Sequence, residues 1–273
     1  MFAAKPIISS LVLALSAGFS AYSLSHADHS IEKAVAADHR AEKNSSRDEF
    51  RNPVSTLEFF ELAEDQTVVE IWPGGGWYAE ILAPYVMDKG QYYAAHFDPN
   101  AGIDFYTRYQ KKFAEKMAAN PNVYGKAKLT AFYPPNKVNT VKGSADRVLT
   151  FRNVHNWMKS GFAQEAFDEF YTMLKPGGLL GVVEHRAKKG TDLDTMIKSG
   201  YVTELKVIEF AEKAGFKLVA ASEINSNPKD SADHPKGVWT LPPRLALGDE
   251  KREHYLAIGE SDRMTLKFVK PVQ

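Results

Sequence analysis

The segment 70–76 reads Glu-Ile-Trp-Pro-Gly-Gly-Gly and runs straight into a helical pattern. Glycines at a strand-to-helix turn let a ligand approach the backbone, and the start of the helix offers free N–H groups. Asp98 follows 22 residues after Gly76, where a second apolar run ends. In a parallel sheet the ends of adjacent strands lie side by side, so this acid stands beside the turn. There it can accept hydrogen bonds from both hydroxyls of a ribose. A Pro-Gly-Gly-Gly alone is often an ordinary turn. Its place between strand and helix, with an acid closing the next strand, makes it a candidate nucleoside-cofactor site of Glu70, Gly74, Gly75, Gly76 and Asp98.

Two further segments carry polar groups at strand ends. The first is Phe151-Arg152-Asn153-Val154-His155-Asn156-Trp157 and the second Glu184-His185-Arg186. Ligands of open α/β sheets bind outside the carboxyl ends of the strands, so both segments should edge a pocket. His155 is the candidate base, Asn153 its hydrogen-bonding helper, His185 the reserve base, and Arg152 joins the cofactor set. The plainer alternatives are a helix start capped by Asn153 with a solvated His155, and a polar strand end held by local ion pairs. His96 suits core or rim packing better than chemistry. No two histidines show ligand spacing on a recognisable helix, so no metal site is expected.

These residues need a scaffold of alternating strands and helices. Apolar runs at 67–72, 91–97, 128–132, 147–151, 179–184, 217–222 and 264–269 read as strands. Tyr78, Ile81, Leu82 and Tyr85 share one helical face, and Pro84 should end or kink that helix. Residues 104–119 form an amphipathic helix. Phe167, Phe170, Tyr171 and Leu174 line another, which stops at Lys175-Pro176-Gly177-Gly178. Val207, Phe210, Ala211 and Ala214 mark a further one. Ser55-Thr56-Leu57-Glu58 reads as a capping box. The expected class is α/β, a doubly wound, mostly parallel seven-stranded sheet. Residues 225–260 form an insert with no full crossover helix, so the seventh strand should return antiparallel to the sixth. Trp239, Leu241, Pro242, Pro243 and Arg244 make that insert a substrate lid or a clasp on the sheet edge.

Two nucleoside cofactors compete, because 74–79 also fits the dinucleotide pattern G-x-G-x-x-A. Glu70 inside the first strand, the Lys-Pro-Gly-Gly turn and the antiparallel last strand favour S-adenosylmethionine over NAD. On these residues, 54–270 resembles a class I SAM-dependent methyltransferase with a motif I like E-x-G-x-G-x-G. VVEIWPGGGWYAEILAPY, FRNVHNW and DRMTLKFVKP resemble a group of bacterial predicted methyltransferases that carry export signals. The resemblance implies that Glu70 meets the cofactor's amino group, that Gly74 and Gly76 are the second and third motif glycines, and that Asp98 is the ribose acid. Two positions depart from the pattern. Trp72 replaces the first motif glycine, so the turn bulges or the indole covers the site. Tyr133-Pro134-Pro135 stands where the acid for the adenine amine belongs. The rivals are a non-catalytic small-ligand-binding or scaffold protein on the same fold and an NAD-dependent oxidoreductase.

The chain has 273 residues, 34 Lys+Arg against 34 Asp+Glu, and no cysteine. Zero net charge leaves no whole-chain footprint for nucleic acid. Without cysteine, disulfide scaffolds, thiolate zinc and thiol nucleophiles are excluded. Lys5 is the sole charge before Asp28, an apolar run spans 7–24, and Ser25-His26-Ala27 resembles a cleavage site. Residues 1–27 therefore read as a cleavable signal peptide, with a periplasmic product and no lasting membrane insertion. Residues 28–53 read as a polar, loosely attached helical arm. The expected partner is a small-molecule acceptor.

Overall fold

The computed structural model describes Met1 and residues 30–136 and 141–272. The signal-peptide reading lies outside these residues. No described helix is long and apolar enough to cross a membrane.

The chain opens with short helices α1 (Ile31–Val35), α2 (Glu42–Ser45), α3 (Asp48–Arg51) and α4 (Pro53–Phe59). The core alternation follows: β1 (Thr67–Ile71), α5 (Ala79–Val86), β2 (Gln91–His96), α6 (Asp104–Ala119), α7 (Pro121–Tyr124), β3 (Lys128–Ala131), β4 (Ala145–Phe151), α8 (Val154–Ser160), α9 (Ala163–Met173), β5 (Leu174–His185), α10 (Leu193–Ser199), α11 (Glu204–Lys213) and β6 (Lys217–Ser222). The insert contributes α12 (Arg252–Ile258) before β7 (Arg263–Val269). The sheet order is β3-β2-β1-β4-β5-β7-β6. β1 to β5 run parallel, and β7 is antiparallel to both β5 and β6. This is the expected class, including the returning last strand.

Side chains alternate along the central strands and feed two cores. Val69, Ile71, Val148, Leu180 and Val182 join Trp157, Phe167 and Phe170 on one face. Val68, Leu149, Phe151 and Val183 join Leu57, Phe60, Ile81 and Leu82 on the other. A period of two delivers alternate residues to opposite faces, which is why these strands read as continuous apolar runs. Gly181 is a packing necessity: a Cβ there would lie 2.7 Å from Leu149 and 2.8 Å from Phe60.

Three local expectations are corrected. The capping box does not form; α4 begins earlier, with left-handed Asn52 before it and Pro53 in its first turn, where proline's fixed φ and missing N–H cost nothing. Pro84 lies inside α5, which continues to Val86. Proline cannot donate to the carbonyl four residues back. That carbonyl, Glu80 O, instead meets His39 Nε2 at 2.7 Å. The third correction is that the described part of the arm, residues 30–53, is docked. Ile31, Arg40 and Arg51 are buried. Asn44 Nδ2 donates to Glu80 Oε2 at 2.9 Å, and Trp77 Nε1 donates to Asn44 O at 2.8 Å.

Candidate functional site

A cavity of about 490 Å³ opens at the carboxyl ends of β1, β4 and β5. Its floor is the glycine turn, with Glu70, Trp72, Gly74 and Gly75. One wall is the segment after β4, with Arg152, Asn153 and His155, and beside it lies His185. The arm supplies Arg47 and Arg51, and the insert supplies Trp239, Leu241 and Arg244. The insert is thus a wall of the pocket rather than a clasp on the sheet edge.

Gly74 and Gly76 hold φ of +59° and +83°, in the left-handed region. A Cβ built on Gly74 or Gly75 meets nothing within 4 Å, so this turn faces open space. His96 fixes it from below. His96 Nδ1 accepts the N–H of Phe97 at 2.8 Å, so Nε2 carries the proton and donates to Gly74 O at 3.0 Å. Burial pushes the His96 pKa down to about 4, which keeps this donor neutral. Its role is structural, as its place in the sequence suggests. Glu70 is buried and accepts the Tyr92 hydroxyl at 2.6 Å. Burial pushes its pKa up to about 7, against the pull of Tyr92, Lys116 and Arg152.

Asn153 is not a side-chain cap. Its Nδ2 donates to Ile71 O at 3.1 Å and lies 3.4 Å from Trp72 O, tying the end of β4 to the end of β1. The amide N–H group is therefore spent on backbone, and its oxygen remains for a ligand. His155 is buried, not solvated. Its Nδ1 lies 3.0 Å from Glu184 Oε1, and its backbone N–H donates to Oε2 at 3.2 Å. A carboxylate only accepts, so Nδ1 bears the proton and Nε2 presents a lone pair to the cavity. His185 Nδ1 sits 2.5 Å from the Ser261 hydroxyl, and the two imidazoles are 5.4 Å apart. Burial, and the nearby positive groups His155, Arg263, Arg152 and Arg51, push the His185 pKa well below its usual value. Arg186 does follow the plainer reading, pairing with Glu204, Glu223 and Asp262.

No local spacing marks a metal cluster, yet His155, Glu184 and His185 offer ligand atoms within 4.8 Å of one another. Glu184 Oε1 accepts from His155 Nδ1 and from the His185 N–H at 2.7 Å, while Oε2 accepts only the His155 N–H and keeps a lone pair.

Asp98 does not line the cavity. It is buried, accepting the Asn100 N–H at 2.9 Å and the Asn136 amide at 3.3 Å. Trp72, at φ +48°, turns its indole away from the turn, and Nε1 donates to Phe132 O at 3.0 Å. It packs against Phe97, Tyr106, Trp157 and Phe162, with Tyr133 beside Tyr106. The residues just past β1, β2 and β3 thus form one aromatic cluster. The arm residues Arg47 and Arg51, and Ser261 and Arg263 near β7, also line the cavity and carried no local sequence signal.

No family model and no curated protein sequence matches the chain. Solved structures do. A SAM-dependent methyltransferase from Aquifex aeolicus aligns with a TM-score of 0.53 at 20% identity, over 66% of this chain and 87% of its own. The fold is that of the class I SAM-dependent methyltransferases. The [4+2]-cyclase SpnF aligns at 0.56 and 15% identity, over 89% and 92% of the two chains. Phosphoethanolamine N-methyltransferase 2 from Haemonchus contortus, solved with S-adenosyl-L-methionine, aligns at 0.53 and 15%, over 82% of this chain and 53% of its own. A cyclase among them shows that the methyltransferase fold does not by itself dictate the reaction.

One neighbour of this fold was solved with S-adenosyl-L-methionine, and the cavity offers groups that would suit the amino-acid end of such a ligand. Glu70 and the open face of Gly74 and Gly75 meet in the cavity. At the ribose end Asp98 stands at the right strand terminus but is engaged by Asn100 and Asn136. Ribose hydroxyls must replace the long Asn136 contact for Asp98 to serve.

Proposed function

We propose that the chain is an exported enzyme that moves a methyl group from S-adenosylmethionine to a small-molecule acceptor. One observation carries the reading: the glycine turn and Glu70 open onto the same cavity as the Nε2 of His155. When bound, S-adenosylmethionine supplies an electrophilic methyl on a good leaving group. Glu70, Gly74 and Gly75 are the residues that would hold it. His155 Nε2 accepts the proton of the acceptor nucleophile, and Glu184 stabilises the imidazolium that forms. Trp239 and Leu241 wall the acceptor from water. Export rests on residues 1–27; intact mass of the native product should give an N-terminus at Asp28.

Calorimetry of the purified chain with S-adenosylmethionine, its demethylated product and NAD tests the cofactor. Saturable binding of the first two, weakened about ten- to a hundredfold by Asp98→Ala, is expected. A second reading, a ligand-binding protein that has left methyl transfer, is favoured by Trp72 in the aromatic cluster and by Asp98 turned to Asn136. Absence of binding by both sulfur compounds selects it. Binding of NAD alone selects an oxidoreductase.

A further inference from the structure

Four arginines from three segments meet on the arm side of the cavity: Arg47 and Arg51 of the arm, Arg152 after β4 and Arg263 of β7. A single carboxylate, Glu260, serves them. Its Oε1 accepts Arg47 Nε at 2.5 Å, and its Oε2 accepts Arg51 Nε at 3.3 Å and Arg263 Nη2. Four guanidiniums meet one directly paired carboxylate, with Glu70 the next acid within reach of Arg152, and so leave a local excess of positive charge. Arg152 makes no side-chain hydrogen bond or ion pair among the described residues. Arg47 Nη2, Arg51 Nη1 and Arg263 Nε are buried N–H donors without a partner. Arg51 and Arg263 are themselves 3% and 2% exposed. The Arg51 guanidinium carbon lies over the Trp77 ring, 4.7 Å from its centre.

Such an arrangement is costly without a ligand. Buried donors lose water and gain nothing, and like charges repel. Both effects weaken the hold of these guanidiniums on their protons. Burial, then Arg263, pushes the Arg152 pKa down to about 10. Burial, then Arg152, pushes Arg51 well below its usual value. An oxyanion beside the half-buried, unpaired guanidinium of Arg152 offsets that charge. Guanidiniums present paired N–H groups that match phosphate and carboxylate oxygens.

We infer that Arg47, Arg51, Arg152 and Arg263 form a subsite for a dianionic oxyanion, of the phosphate monoester class, carried by the small-molecule acceptor. This deepens the methyl-transfer reading by giving the acceptor its charge, but its test needs no methyl donor, so failure of either is read separately. The donor has a carboxylate of its own. Set beside an ammonium and a sulfonium, that carboxylate leaves the donor a net cation, which the local excess of positive charge disfavours. A dianion does not meet this objection.

The probe is inorganic phosphate at pH 7.5, titrated by calorimetry against chloride of matched ionic strength. Three proteins are compared: the unmodified chain, Arg152→Gln and Lys217→Gln, the last an exposed cation on β6 outside the cavity. One phosphate should bind per unmodified chain and per Lys217→Gln chain. Arg152→Gln should bind it about ten- to a hundredfold more weakly. Arg152 sits at φ +63°, in the left-handed region; glutamine keeps that backbone and removes one repelling charge, so the ligand-free variant should melt roughly 2–4 °C higher. No saturable phosphate binding, or equal binding by Arg152→Gln, overturns the subsite. A lower melting point for the variant shows that Arg152 is structural and also overturns it. One-for-one displacement of phosphate by the demethylated donor overturns its assignment to the acceptor.

Discussion

The indole N–H of Trp72 donates to the carbonyl of Phe132 at 3.0 Å, across the ends of β1 and β3. That bond explains how a tryptophan stands where the methyltransferase motif has glycine. The backbone keeps the left-handed φ of +48° that glycine would take freely. The side chain leaves the turn and fills the space above β1 to β3. The turn itself stays open on the β4 side, at Gly74 and Gly75.

Trp72→Gly tests whether the indole limits the cofactor. Removing a buried aromatic costs roughly 3–5 kcal/mol, and relief of left-handed strain returns about 1 kcal/mol or more. Net destabilisation of about 2–4 kcal/mol is expected in denaturant titration, with S-adenosylmethionine binding at least as tight as before. Weaker binding would mean that the indole supports the cofactor site.

His155→Gln addresses catalysis. Loss of a general base costs about 10²–10⁴-fold in rate. Turnover on an acceptor found by radiolabelled methyl transfer should fall within that range, while cofactor affinity stays unchanged by calorimetry. Retained turnover with lowered stability would make His155 a structural partner of Glu184.

Glu70 predicts an alkaline effect. Its folded pKa of about 7 lies above the ordinary 4.5 because burial dominates. A raised folded pKa gives stability that is fully present below pH 4.5 and lost as pH rises through 7. Glu70→Gln keeps a partner for Tyr92 and removes the titration. The variant should match the unmodified chain near pH 4.5 and exceed it by about 2–3 kcal/mol at pH 8. Equal pH profiles in urea unfolding would refute the buried, poorly compensated carboxyl.

Glu260 predicts the opposite edge. Burial pushes its pKa up, but Arg263, Arg51, Arg152 and Arg47 outweigh this and hold it at about 2. A depressed folded pKa gives stability that is present above 4.5 and lost as pH falls through 2. Glu260→Gln should cost about 3–5 kcal/mol at pH 7 by leaving buried cations unpaired. The gap should narrow by pH 3, and added phosphate should recover part of it. A constant gap from pH 7 to pH 3 would count against the ionised pair.

Much of the scaffold was legible in the chain because its signals are local. Val68, Val69 and Ile71 mark a strand buried on both faces, and Pro73 to Gly76 mark the turn, without reference to anything distant. Seven strands followed from such runs, and the missing crossover helix in 225–260 placed β7 antiparallel. Side-chain partnership did not follow. Arg51 and Glu260 are 209 residues apart, and no periodicity records that they meet. The docking of residues 30–53 rests on contacts far along the chain, among them His39 on the carbonyl of Glu80 that Pro84 leaves without an N–H, Asn44 on Glu80, and Arg47 and Arg51 on Glu260. Asp98 was placed correctly at the end of β2, but whether its carboxylate faces the cavity or Asn136 is a choice of rotamer and neighbour. His155 and Glu184 were each noticed at a strand end. Their pairing, which sets the tautomer of His155, depended on β4 and β5 lying side by side with Phe151 opposite Val183. Sequence determined the elements and their order, because hydrophobic periodicity and turn chemistry act over a few residues. Tertiary structure alone decided which charged groups share a cavity, because that is set by the register and docking of segments far apart in the chain.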